Sequence, residues 1–258
     1  MRLFISYLSM HLKSRLEYRM SFLLASIAQV LVMGIELFTV CALFDKFKLL
    51  EEYDLYQLIL GFTTMWLGFS IAELIGRGFD NFSNLIIDGS FDLLLIRPRS
   101  LFLQILGSDI CYEKVARIIL GIILYIYSSI KVVDIFTIDK VILLILMLVA
   151  CVLTIMSLFI IGATLTFYTV EGLEAVNIFT NGTKQAAEYP MDIYNKIIRL
   201  IFTFIIPVAL INYYPIKYLS GNTNEIYYLF MPLVAIIPFI FSLLIFRIGL
   251  RKYTSTGS

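Results

Sequence analysis

Glu36 is the deepest ionisable residue in the long apolar runs of this sequence, 17th of the 25 residues of Met20–Phe44. A carboxylate held in hydrocarbon is costly. It marks either an ion or substrate pathway, or a polar pairing with a neighbouring helix or the outer interface. Gln29 lies seven residues earlier, two helical turns away on a similar face. The two would form a polar stripe in the interior of a bundle. Glu73 stands near the end of a second run, and Glu113, Lys114 and Arg117 cluster at the start of a third. Glu113 and Arg117, four apart, can pair along a helix, as an anchor or as part of an energy-transmitting device.

Bond-making chemistry has no comparable candidate. The sequence holds no G-x-x-x-x-G-K-[ST] phosphate cradle, no HExxH and no GxSxG. His11 is the single histidine and reads as an interfacial residue. Cys41, Cys111 and Cys151 fall in or beside apolar runs without CxxC spacing, which suits small buried side chains better than a metal site or a disulfide framework. The chain is therefore not read as an enzyme, and no cofactor or metal is expected in it.

The elements that position these groups must lie in lipid. The 258 residues are 60% hydrophobic, with a mean hydropathy of +0.91. A water-soluble domain cannot hide that much apolar surface. The net charge of +1 gives no field suited to nucleic acid. Six runs approach or exceed the roughly 20 residues a helix needs to cross the hydrocarbon. They are Met20–Phe44, Leu55–Gly76, Val115–Val133, Val141–Tyr168, Ile197–Tyr218 and Ile226–Phe246. The fourth is long enough to require tilt or a break near Gly162. Pro207 and Pro215 predict a kinked or split fifth run, and the sixth holds Pro232 and Pro238.

Residues 1–19 precede the first run and repeat Phe4, Leu8, Leu12 and Leu16 at helical spacing, with Arg2, Lys13, Arg15 and Arg19 at other angles. That pattern predicts an interfacial helix along an anionic leaflet, with an extension of the first run as the alternative. With the N-terminus inside, 15 of the 20 Lys and Arg residues fall in inner segments, Lys184 among them. The bias places both termini in the cytoplasm. The fold class is thus an all-α membrane protein forming one domain over residues 1–258. It has six transmembrane helices, an N-terminal interfacial helix and a tail, Thr254–Ser258, that reads as flexible. The sequons at Asn81 and Asn181 fall on the inner side and are chance matches.

The segment Gly76–Gln104 between the second and third spans is polar, amphipathic and aromatic-rich. Phe79–Ile87 predicts a short helix with Phe82, Leu85 and Ile86 on one face. Asp88-Gly89 is a turn. Ser90 can cap a second helix over Phe91 to about Ile96, with Asp92 in its first turn and Pro98 ending it. Arg97 and Arg99 flank that proline as a basic elbow. Such a segment is either a connector anchored in headgroups or a coupling element that enters a groove on a nucleotide-hydrolysing partner. In the second case Phe91, Leu94 and Leu95 supply the apolar anchor.

The run Gly89-Ser90-Phe91-Asp92-Leu93-Leu94-Leu95-Ile96-Arg97-Pro98 resembles the G-x-F/L-D-x-L-L-x-R-P pattern of ABC-2 type permeases, specifically short six-span bacterial members. Tyr189-Pro190-Met191-Asp192-Ile193-Tyr194, followed by Pro207 in the next span, is similar to a second run of that family. The resemblance covers the whole chain in length and span order. It implies a permease subunit of an ATP-driven exporter in the bacterial inner membrane, paired with a second permease as homo- or heterodimer. A separate cytoplasmic ATP-binding cassette subunit would bind ATP and Mg. It implies ATPase coupling through Phe91, Asp92, Leu94, Leu95, Arg97, Pro98 and Arg99, with Glu171–Lys196 as a second cytoplasmic contact region. Closure of the ATPase would tilt the first, second and fifth spans. Gln29, Glu36, Phe202, Tyr213 and Tyr214 are candidates for a translocation path taking an amphipathic drug, lipid or peptide. An ion- or proton-coupled carrier using Glu36 is the other transport reading, although it would call for several midplane ionisable groups.

Overall fold

Apolar runs of this length close their backbone hydrogen bonds within themselves, because lipid offers no partners. The computed structural model describes residues 2–46, 54–133, 135–169, 180–185, 191, 194–223 and 225–254, and every element among them is helical. The elements are α1 (Arg2–Glu17), α2 (Arg19–Lys46), α3 (Leu55–Asp80), α4 (Phe82–Ile87), α5 (Ser90–Leu95), α6 (Leu101–Ser108), α7 (Lys114–Val132) and α8 (Ile138–Leu165). A short α9 covers residues 180–185. Then follow α10 (Lys196–Leu200, continued by a π turn at Ile201–Ile205), α11 (Tyr214–Leu219, preceded by a π turn at Ala209–Tyr213), α12 (Tyr227–Phe230) and α13 (Ile236–Lys252).

Five helices are long and apolar enough to span a membrane, and the α10–α11 pair makes a sixth if it counts as one span. That pair bends by 81° across Ile206–Val208, where Pro207 cannot continue the backbone ladder. The sixth span tightens to a 3₁₀ turn at Met231–Ala235, which contains Pro232. Of the two alternatives for the fourth, the break near Gly162 is absent: α8 runs 28 residues unbroken, with Gly162 buried inside it.

The α3 helix is the axis of the bundle. It packs along α7 on one side and α8 on the other, α13 covers α8, and α2 leans on α7. Its buried residues run almost without interruption from Leu58 to Phe79, whereas α2 and α13 leave most of their apolar side chains outward, as lipid contact allows. Both described ends of the chain meet the segment between α3 and α7. On α1, His11 Nε2 donates to Gly107 O at 3.0 Å, and Leu8 O accepts from Tyr112 Oη at 2.8 Å. Past α13, Tyr253 Oη donates to Asp92 Oδ1 at 3.1 Å. The α1 helix is separate from α2, as its amphipathic pattern predicts, and the tail beyond Thr254 lies outside the described residues.

Candidate functional site

The segment between α3 and α7 folds as three short helices, α4 to α6, with an elbow between α5 and α6, and the structure inverts part of its expected orientation. α3 extends to Asp80, so α4 begins at Phe82 rather than Phe79. The turn into α5 needs a left-handed residue, and Gly89 supplies it with φ 67°. Gly89, not Ser90, is therefore the cap, and the Ser90 hydroxyl donates back to Leu85 O at 3.3 Å. Gly78 permits the close approach of α3 to α6: a Cβ there would stand 1.8 Å from Ile105 O.

Phe91 is not an outward anchor. It is fully buried, with its ring 5.0 Å from Phe82, 5.0 Å from Tyr253 and 5.8 Å from Phe167. Phe82 in turn lies 5.8 Å from Phe246, and Phe79 5.6 Å from the same ring. Aromatic edge-to-face contacts of this kind contribute about 0.5–1.5 kcal/mol each beyond burial. The cluster roots the segment on α3, the end of α8 and α13, that is, on the second, fourth and sixth spans. Leu94 packs partly against this core as well. Asp92 accepts from Tyr253, whose phenol is raised above its ordinary value by burial and then by that hydrogen bond.

What faces outward is a different set. Leu95 is exposed, as a docking surface requires, and so are Ile87, Leu93 and Ile96, the last at 78%. Arg97, Pro98 and Arg99 are exposed beside them. Gln104 Nε2 holds the elbow, donating to Leu94 O at 3.2 Å and Arg99 O at 3.3 Å. Ile87, Leu93 and Ile96 escaped the sequence reading. The signal was the phase of α5: once Phe91 and Leu94 turn inward, Leu93 and Ile96 must turn outward.

Above this segment sits a compact ionic node between α2, α3 and α7. The Glu73 carboxylate accepts from Lys114 Nζ at 2.8 Å and from the Arg117 guanidinium. Arg117 also donates to Ser70 Oγ at 2.6 Å and Gln29 Oε1 at 3.1 Å, and it lies 4.7 Å from the Trp66 ring centre. One buried carboxylate thus serves two cations, and Gln29 Oε1 accepts from both of them. Arg117 thus pairs with Glu73 rather than with Glu113, because Glu113 precedes α7 and turns to Arg15 at 3.0 Å.

The path residues divide. Gln29 belongs to the ionic node, so it does not share a stripe with Glu36. Glu36 instead pairs with Lys184 at 3.5 Å. Lys184 Nζ lies 3.5 Å from the ring centre of Trp66, near the middle of α3. It therefore lies against the body of α3 rather than at its end. Charge pairing and the indole face hold it there. Tyr213 and Tyr214 form an edge pair at 5.0 Å, while Phe202 meets Tyr194 at 6.3 Å on the far side of the Pro207 bend. Most of Glu171–Lys196 lies outside the described residues, including four of the six residues of the Tyr189–Tyr194 run. Among the described residues no group of His, Cys, Asp or Glu could hold a metal.

Residues 30–257 match the family model of ABC-2 family transporter proteins. No curated protein and no solved structure matched the chain.

Proposed function

Since this chain belongs to the ABC-2 family of transporter proteins, we propose that it is the permease subunit of an ATP-driven exporter moving an amphipathic substrate out of the cytoplasm. It is a multi-pass membrane protein, and membrane subunits of this family generally work with ATP-binding subunits. The observation that carries the reading is the surface of Leu93, Leu95 and Ile96 beside Arg97 and Arg99. It is exposed, apolar and basic-rimmed, and it stands on a rigid aromatic root. An apolar anchor with a charged rim is what a protein groove recognises.

In this reading the segment faces the cytoplasm, in keeping with the Lys and Arg bias. A separate ATPase subunit binds ATP and Mg and presses on α5 as it closes. Phe91 and Tyr253 pass that displacement to α3, α8 and α13, so the second, fourth and sixth spans respond first. The 81° bend at Pro207 gives the fifth span a place to hinge. A second permease, identical or related, completes the pore. The test is the pair Leu93→Asp with Ile96→Asp, carried together. ATPase association should be lost while the spans remain inserted and the protein monodisperse. Undiminished association would remove the coupling assignment.

A further inference from the structure

The pairing of Glu36 with Lys184 is loose for a buried ion pair. Glu36 Oε2 lies 3.5 Å from the ammonium and accepts no hydrogen bond from any described residue. The ammonium sits instead over aromatic faces, 3.5 Å from the Trp66 ring centre and 5.8 Å from Phe69. Trp66 is fully buried, and Phe69 nearly so. A carboxylate, an indole face and a phenyl ring around one cation are the recognition elements of an alkylammonium site. The cation now in that place is tethered on α9, and the Glu36 side chain remains about a third exposed. The Oε2 atom that faces this cation is itself buried, so the site holds a desolvated acceptor that a better-placed donor would satisfy.

We propose that Glu36, Trp66 and Phe69 form a binding site for cargo bearing an ammonium group on an apolar body, and that Lys184 is its built-in competitor. The proposal rests on the exporter reading, for which it names the substrate class. Cargo binding displaces the Lys184 ammonium from the indole face and brings a mobile cation closer to the unsatisfied Oε2. The displaced lysine then carries α9 away from α3, which clears the place where cargo must move. An anionic cargo would be repelled by Glu36 and gains nothing from the ring faces.

Trp66 is the single tryptophan, so all indole emission comes from the ring that lines this site. The experiment titrates the purified full chain, in a neutral maltoside detergent, with N-octylpyridinium, whose ring quenches indole on contact. Saturable quenching is expected, reversed by octyltrimethylammonium and not by octanoate. Glu36→Gln should weaken binding about tenfold, the loss of one close charge contact. Lys184→Met should tighten it severalfold, because the competitor is gone. A purely structural lysine would not give that sign. Equal displacement by octanoate, or an affinity unchanged or weakened in Lys184→Met, overturns the proposal. If a variant does not fold, the competition series on the wild-type chain decides alone. Adding phosphatidylethanolamine or phosphatidylglycerol to the micelles separates two sources of the same chemistry. Competition by the former only assigns a lipid headgroup, and competition by neither assigns a free cationic amphiphile. No ATPase is needed, so failure here leaves the coupling assignment standing.

Discussion

Replacing either partner in the Glu73–Arg117 node should reveal an asymmetry fixed by its geometry. Losing one member of a buried ion pair costs about 3–5 kcal/mol, chiefly because the other charge is stranded. Arg117→Met does not strand Glu73 completely, since Lys114 Nζ still lies 2.8 Å away. Its cost belongs at the low end, about 3 kcal/mol. Glu73→Gln leaves two cations together with only Gln29 Oε1 between them, at 3.1 and 3.2 Å. That belongs at the high end, about 5 kcal/mol. For a chain of this size, about 2–4 °C per kcal/mol converts these to losses of about 6–12 and 10–20 °C in Tm. Heating the protein in detergent while following Trp66 emission gives both midpoints. The double variant should lose less than the sum of the singles, by at least about 1 kcal/mol, because the stranded charge is counted twice in the singles. Greater damage from Arg117→Met than from Glu73→Gln, or singles that simply add, would refute the assigned pairing.

Three further outcomes follow from named contacts. Phe91→Ala should destabilise by about 3–5 kcal/mol, whereas Leu93→Ala, two residues on but exposed, should change the same melting midpoint by under about 0.5 kcal/mol. Gly78→Ala should prevent recovery of monodisperse protein, because its Cβ would meet Ile105 O at 1.8 Å, while Gly34→Ala, with nothing within 4 Å, should be recovered normally on size-exclusion chromatography. Burial, then the neighbouring Glu113 carboxylate, pushes the Cys111 thiol up to about 11 from 9.0. Maleimide labelling at pH 8 should therefore run about a hundredfold slower there than at an unperturbed thiol and rise tenfold per pH unit until about pH 11.

Sequence legibility tracked how local each determinant is. The spans, the break at Pro207 and the two short helices before Pro98 follow from apolar run length and backbone restriction, which neighbours in sequence settle. The family was readable from the run Gly89–Pro98, and the match over residues 30–257 agrees. Which face of α5 points outward was not readable. Phe91 is buried by Phe167 and Tyr253, residues brought from distant parts of the chain. The same holds for Arg117, whose partner is 44 residues away in α3 rather than four away in its own helix. The contact of Lys184 with Trp66 was not readable either, because counting basic residues assumes that a lysine avoids the middle of an apolar helix. Glu36 and Trp66 remove that penalty locally.

The central claim, that the α5 surface receives force from a separate ATPase, is tested most directly by contact. A photo-crosslinking residue placed at Ile96 and, as an internal control, at Phe91 would be activated in native membranes and the products identified. The account predicts a crosslink from position 96 to a cytoplasmic protein carrying a G-x-x-x-x-G-K-[ST] loop, strengthened when ATP is present, and none to that protein from position 91. Capture of only lipid from position 96, in membranes where that ATPase is present, would contradict it.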